Sequence, residues 1–268
     1  MAVATVEREP QISHPEYPGL HVGMMGMYIF LCSEVMFFGS LFAVYFYLFG
    51  SHPLGWPPPD TQPVQYWPLP FINTFVLVSS GVTCHFALES IRLRGVMGRF
   101  GLVGAGILIV LFIIPELISG FYALTGSDHA VFDAGLAFFG AVVAVLAIPF
   151  MLGRGRAGGR ASFIGLWIAT ILLGAAFEAG QAYEFINAHI KFGGLNEFGS
   201  AFFAMTGFHG AHVAGGLVLL LLVLGRALRG QFDAQHHIAP AAVTLYWHFV
   251  DVVWFFLFGI LYVAVTAF

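Results

Sequence analysis

Apolar residues run through this chain in long stretches, and most polar residues cluster in the short gaps between them. A helix needs about 20 predominantly apolar residues to cross the hydrocarbon of a bilayer. Seven stretches meet that length: roughly 22–49, 70–91, 100–123, 131–152, 162–186, 198–226 and 240–266. The gaps carry turn and breaker chemistry. Ser51 to Pro70 is rich in Pro, Gly and Trp, Arg92 to Arg99 is a short basic link, and Thr125 to Asp128 is a polar turn. Gly153 to Arg160, Lys191 to Glu197 and Arg229 to His237 complete the set. The pattern predicts an all-α, polytopic membrane helical bundle of seven transmembrane helices. Residues 1–21 form an N-terminal cytoplasmic segment, and 22–268 form a single transmembrane domain.

Positive charge sets the orientation, because Lys and Arg collect in the loops on the cytoplasmic side. With seven spans, the N-terminus and the second, fourth and sixth loops share one side. That side holds Arg8, Arg92, Arg94, Arg99, Arg154, Arg156, Arg160, Arg226 and Arg229, whereas the other holds Lys191 alone. A missed or false span would scramble this division. The N-terminus is therefore expected inside and the C-terminus outside. Met1 to Pro18 is polar and acidic and lacks a signal-peptide layout, so the first span is expected to direct insertion.

Composition sharpens the picture. Of 268 residues, 59% are hydrophobic and only 9% charged, against about 25% charged in soluble domains. Water is not the main solvent of such a chain. The formal net charge of -4, with no basic stripe, excludes nucleic-acid binding. Cys32 and Cys84 both sit in apolar runs and read as small buried hydrophobes. Trp56, Tyr66 and Trp67 lie in the first outer loop, where aromatic rings suit the headgroup layer.

Ionisable residues inside spans cost about 3 kcal/mol or more and face protein or a water-filled cavity. Glu34 lies near mid-depth of the first span. It reads either as a proton-linked or lipid-headgroup-linked group, or as a neutral carboxylic acid in helix packing. His209 and His212, three apart, point to one face of their helix. That spacing suits a metal only if further ligands converge. The plainer account is an interhelical hydrogen-bond pair among Gly207, Gly210, Ala211, Gly215 and Gly216, small residues that let another helix approach. His248 and Asp251 are also three apart, beside Trp247 and Trp254, as a proton relay or a bundle-facing polar cluster. Glu178, Gln181 and Glu184 recur every three residues and make a polar stripe, read most simply as a helix end emerging into the headgroups. Glu116 follows Pro115, where a freed backbone group gives it a local partner. No phosphate-binding loop, Cys-x-x-Cys or haem-attachment motif is present.

Five segments resemble subunit III of the haem–copper respiratory oxidases, especially of the cytochrome c oxidase type. They are Gly26 to Phe38, Asn73 to Gly81, Glu178 to Glu184, Gly199 to Val213 and Tyr246 to Trp254. The resemblance implies an accessory subunit of an aerobic terminal oxidase, with no redox centre, catalytic residue, metal or cofactor of its own. It would pack against catalytic subunit I, which holds the haems and copper, in a complex that includes subunit II. It would bind phospholipid in a cleft, support proton uptake during oxygen reduction, and protect subunit I from turnover inactivation. Glu34 matches the family's intramembrane glutamate, and His209, His212, Trp247, His248 and Asp251 match its helix motifs. On this footing the histidines are not metal ligands.

Two features depart from the pattern. The family's usual Gln, Glu, Glu order appears here as Glu178, Gln181, Glu184. The additional helix pair, roughly 100–152, sits as an inserted hairpin within a five-helix core instead of preceding the Glu34 helix. That placement favours a bacterial plasma membrane. Ser33-Glu34 favours the cytochrome c type over a quinol oxidase or a nitric-oxide-reductase-associated homologue. A proton-coupled transporter using Glu34 is the alternative of another class, though the midplane breaks and internal repeats of such folds are not evident. A haem protein acting alone is a third, as two facing histidines suffice for a b-type haem.

Overall fold

A computed structural model describes residues 21–52, 55–58, 61, 69–92, 158–188, 190, 193 and 196–265. Five helices cover them: α1 (Val22–Gly50), α2 (Leu69–Arg92), α3 (Gly158–Asn187), α4 (Glu197–Leu228) and α5 (Ile238–Phe258). The last runs on into a π-helical turn, Gly259–Ala264. Each of the five is long and apolar enough to cross a membrane, and no strand occurs among the described residues. The chain is an integral membrane helical bundle. The predicted spans 100–123 and 131–152, with Glu116, lie outside the described residues.

Helix ends are fixed by local chemistry. Nδ1 of His21 accepts from the Gly23 amide at 3.1 Å and caps α1, and Asn196 Oδ1 accepts from the Gly199 amide at 2.7 Å to open α4. At the other end of α4, Gly230 takes a left-handed φ of +76°. Its amide reaches Ala227 O at 2.9 Å and the Gln231 amide reaches Arg226 O at 3.3 Å. This is a Schellman stop, which glycine enters without a Cβ penalty. Arg160 adds a second bond to Ala227 O at 3.2 Å and satisfies Leu228 O at 2.8 Å.

That last contact, with Arg92 Nε donating to His237 Nε2 at 3.3 Å, defines one end of the bundle. The starts of α1, α3 and α5 and the finishes of α2 and α4 meet there. Arg92, Arg160, Arg226 and Arg229, the arginines among the described residues, all lie at it. The opposite end joins α1 to α4 through His52 and Glu197 at 3.6 Å. Trp56 is buried there, donating to Tyr45 OH at 3.0 Å and packing on Phe198. It packs inward, whereas its loop partners Tyr66 and Trp67 lie outside the described residues.

Hydrophobic burial does little to hold helices together in lipid, so close backbone approach and interhelical hydrogen bonds carry more weight. α2 and α3 pack through small and hydroxyl residues. Thr83 and Thr170 share a 2.9 Å hydrogen bond. Asn73 Nδ2 donates to Phe177 O at 3.2 Å from a notch where a Cβ on Gly180 would collide with it. α5 packs on α2 and α4 and reaches α3 through its tryptophans. Its Trp247 fills a socket formed by Gly174 of α3 and Gly216 of α4, where an added Cβ would lie 2.7 Å from the ring. The indole N–H donates to Ser80 Oγ of α2 at 2.9 Å. One turn-pair on, Trp254 Nε1 donates to Thr74 Oγ1 at 3.0 Å. α1 stands at the edge, packed on α4 and α5, and only Phe38 and Tyr45 of it are buried. Cys84 is buried as expected, but Cys32 is exposed, because it lies on the outward face of α1.

Candidate functional site

α1 meets α4 through one polar contact near mid-membrane. At 1.5 Å per residue, Glu34 lies ~18 Å along α1 from Val22 and His212 ~24 Å back along α4 from Leu228. His212 Nε2 is 2.9 Å from Glu34 Oε2, and the two side chains are 17% and 16% exposed. The other ring nitrogen, Nδ1, lies 2.7 Å from Phe208 O. A carbonyl only accepts, so Nδ1 carries a proton. The Nε2–Oε2 bond then needs one more proton, held either by the carboxylic acid or by the imidazolium. The pair is neutral overall in both forms, which keeps net charge out of the membrane. Phe38 and Phe37 flank the ring, with centroids 4.9 and 5.9 Å away. Tyr246 OH donates to His212 O at 2.9 Å and ties α5 to the same turn.

His209 does not join this contact. Its ring is fully buried, stacked on Trp254 at 5.0 Å and edge-on to Phe177 at 5.9 Å. Spacing of three turns successive side chains by about 60°, and here that is enough to send the two histidines to different neighbours. The shared histidine face expected from the sequence is therefore split.

His248 and Asp251 do meet, Nδ1 to Oδ2 at 3.4 Å, with Asp251 in the notch left by Gly81 of α2. His85 lies beside them on an exposed turn of α2, its ring 6.1 Å from that of His248. The stripe on α3 faces inward, contrary to a helix end emerging into the headgroups. Gln181 and Glu184 are buried, 3% and 7% exposed, while Tyr183 takes the outer position. Gln181 Nε2 and Tyr262 OH both donate to Glu184 Oε2, at 3.4 and 3.1 Å. The π-helical turn that carries Tyr262 has no counterpart in the predicted span. Among the described residues no group of three or more His, Cys, Asp and Glu converges as a metal site.

The family model for cytochrome c oxidase subunit III matches residues 11–152 and 156–265. The chain belongs to the cytochrome c oxidase subunit III family. It is 31% identical over 250 residues to cytochrome c oxidase subunit 3 of Thermostichus vulcanus, covering 92% of this chain and 89% of that protein. With the Drosophila yakuba subunit 3 it shares 32% over 256 residues, 92% of this chain and 73% of the relative. A probable subunit 3 of Rickettsia bellii is 30% identical over 269 residues, 94% and 72% of the two chains. This subunit III therefore belongs with the proteins of a multi-subunit, proton-pumping oxidase, as its five matching segments implied.

The fold explains why subunit III motifs have the residues they do. The Tyr246 to Trp254 segment supplies both indole anchors, the Tyr246 bond and the His248–Asp251 contact. The anchors' partners, Ser80 and Thr74, and the Thr83–Thr170 pair are not evident one by one in the sequence. Their signal is present, since hydroxyls within an apolar span need a nearby acceptor, but the sequence does not say which helix they serve.

Proposed function

We propose that this chain is the accessory, non-redox subunit III of an aerobic terminal oxidase of the cytochrome c type. It packs against subunit I, which carries the haems and copper, and it retains bound phospholipid. In this reading Glu34 and His212 support proton uptake and protect subunit I from inactivation during turnover. The observation that carries the reading is the Glu34–His212 bond, a single shared proton between two helices at mid-membrane. A group of that kind stores no redox equivalent, but it links the position of α1 to a proton. The outer face of α1 gives further support. Ile29, Met36, Val44 and Tyr47 are exposed along it, a surface for lipid acyl chains or a neighbouring transmembrane helix.

Seven spans with the N-terminus inside complete the proposal. α2 finishes and α3 begins at the same, arginine-bearing end, which supports reading the two apolar runs between them in the sequence as an inserted pair. The positive-inside rule then puts the arginine end on the cytoplasmic side, and the placement of the inserted pair in the sequence favours a bacterial plasma membrane.

Purification of the tagged chain from its native membrane in mild detergent tests the assignment. A haem–copper subunit I should co-purify, with haem absent from the chain once separated. A Soret band on the isolated chain, or isolation without an oxidase, overturns it.

A further inference from the structure

The interior between α3, α4 and the end of α5 contains a second polar cluster, separate from the Glu34–His212 contact. α3 contributes Glu178, Gln181 and Glu184, α4 contributes His209, and the π-helical turn contributes Tyr262. His209 is 0%, Gln181 3% and Glu184 7% exposed. Neighbouring contacts set the height of His209. An added Cβ at Gly210 would lie 3.3 Å from Glu178 Oε1, and one at Gly207 would lie 3.9 Å from the Phe185 ring. His209, between those two glycines, is therefore level with the Gln181 turn of α3.

The hydrogen bonds within the cluster use up only part of it. Glu184 Oε2 takes both donors, Gln181 Nε2 and Tyr262 OH. Glu178 Oε2, Gln181 Oε1, Glu184 Oε1 and both ring nitrogens of His209 remain buried without a hydrogen-bond partner among the described residues. The balance between donors and acceptors is uneven. Carboxylate and amide oxygens accept, a protonated carboxyl adds a single O–H donor, and a neutral His209 offers one N–H and one acceptor. Trp254, Phe177 and Phe202 wall the cluster and offer no acceptor or donor beyond the indole N–H, which Thr74 already takes.

We propose that this cluster is an internal-water site, binding water between Gln181, Glu184 and Glu178 of α3 and His209 of α4. Water is the ligand that fits, because each molecule brings two donors to an acceptor-rich lining and also accepts from the His209 N–H. A buried water makes about three hydrogen bonds, so the open atoms correspond to about two molecules. An unsatisfied buried polar group is costly, and a water within reach of several such atoms removes that cost. The absence of a Cβ at Gly210 leaves the Glu178 carboxyl its room. The site does not depend on the oxidase assignment. It places hydrated carboxyl groups on one side of α4, while Glu34 on the other side shares its proton directly with a histidine.

High-resolution electron cryomicroscopy of the purified native complex tests the site. Ordered water density is expected within hydrogen-bond distance of Gln181 Oε1, Glu184 Oε1 and one His209 nitrogen. A dry cluster whose polar atoms pair with one another overturns the proposal, as does density with the short, numerous oxygen contacts of a metal cation. His209→Phe preserves the ring stacking on Trp254 but removes both nitrogens, and it should abolish the water beside α4 while the helices stay in place. Water unchanged in that variant excludes His209 as a ligand and overturns the site as drawn. If the variant does not assemble, the density in the wild-type complex alone decides.

Discussion

The α1–α4 contact and the α2–α3–α5 core both place polar groups within apolar spans, yet they satisfy them in different ways. In the core every anchor has a fixed donor and acceptor. Trp247 donates to Ser80, Trp254 to Thr74, and Thr83 pairs with Thr170. These groups do not ionise, and glycines bring the backbones close enough for the bonds to form. At the α1–α4 contact one carboxyl and one imidazole are joined by a proton that either can hold. That contact lies at the edge of the bundle, which leaves both partners part-exposed. A fixed hydroxyl network gives rigidity, whereas a shared-proton pair gives a contact whose internal charge separation can change without adding net charge.

Substitutions can test this contrast. The largest effect is expected in the core. Trp247→Ala empties the socket formed by Gly174 and Gly216 and should cost about 3–5 kcal/mol, read as early unfolding in a detergent titration and loss of the assembled complex. Gly81→Ala should cost about 1–3 kcal/mol, because its Cβ would enter the space of the Asp251 carboxylate. A wild-type titration curve for either variant would show that the core is not locked as described.

Smaller effects are expected at the seam. Glu34→Ala removes one interhelical hydrogen bond, worth about 1 kcal/mol. Haem content and initial electron-transfer rate should stay near wild type, while lipid retention or durability in turnover declines. Glu34→Gln should fall between the two, because its amide can donate to His212 Nε2. Complete loss of activity from the first turnover, in a complex that still assembles, would rule out an accessory role for this pair. Thr74→Val, which strips the acceptor from Trp254, should cost about 1 kcal/mol without touching turnover durability, and so separates stability from function.

The smallest effect lies outside the membrane. Asp233 Oδ1 accepts from the amides of Gln235 and His236 at 2.8 and 2.7 Å. The backbone bond from His236, with that from Gln235 and the His236 side chain, lowers its pKa from 3.8 to about 2. A depressed carboxyl pKa stabilises the folded loop above the ordinary value and loses that effect as pH falls through the lowered one. The protection factors of the Gln235 and His236 amides, the intrinsic exchange rate at each pH divided by the observed one, should therefore hold above about pH 4 and fall towards pH 2. Asp233→Asn keeps an acceptor oxygen and should remove the pH dependence.

Much of the fold was legible because lipid imposes strict rules on sequence. Runs of about 20 apolar residues located the five described helices to within a few residues. Arginine placement predicted which helix ends meet, and Arg92, Arg160, Arg226 and Arg229 do meet at one end. Site residues were legible by identity but not by partnership. Glu34 and His212 are separated by 178 positions, and no local pattern links them. The stripe of Glu178, Gln181 and Glu184 was recognised, but its direction was not, because a period of three shows that residues share a face without showing what the face meets. Cys32 was misplaced for the same reason. An apolar neighbourhood is the same in sequence whether lipid or protein lies opposite.

By itself the sequence determined the solvent, the helices, the charge asymmetry and the family, since each depends on residue types and spacings along one chain. Tertiary structure alone decided which polar groups face one another. That choice depends on how helices rotate about their axes and on where glycines let backbones approach. A spacing of three residues, about 60° around the helix, separates a histidine that shares a proton with Glu34 from one buried beneath Trp254.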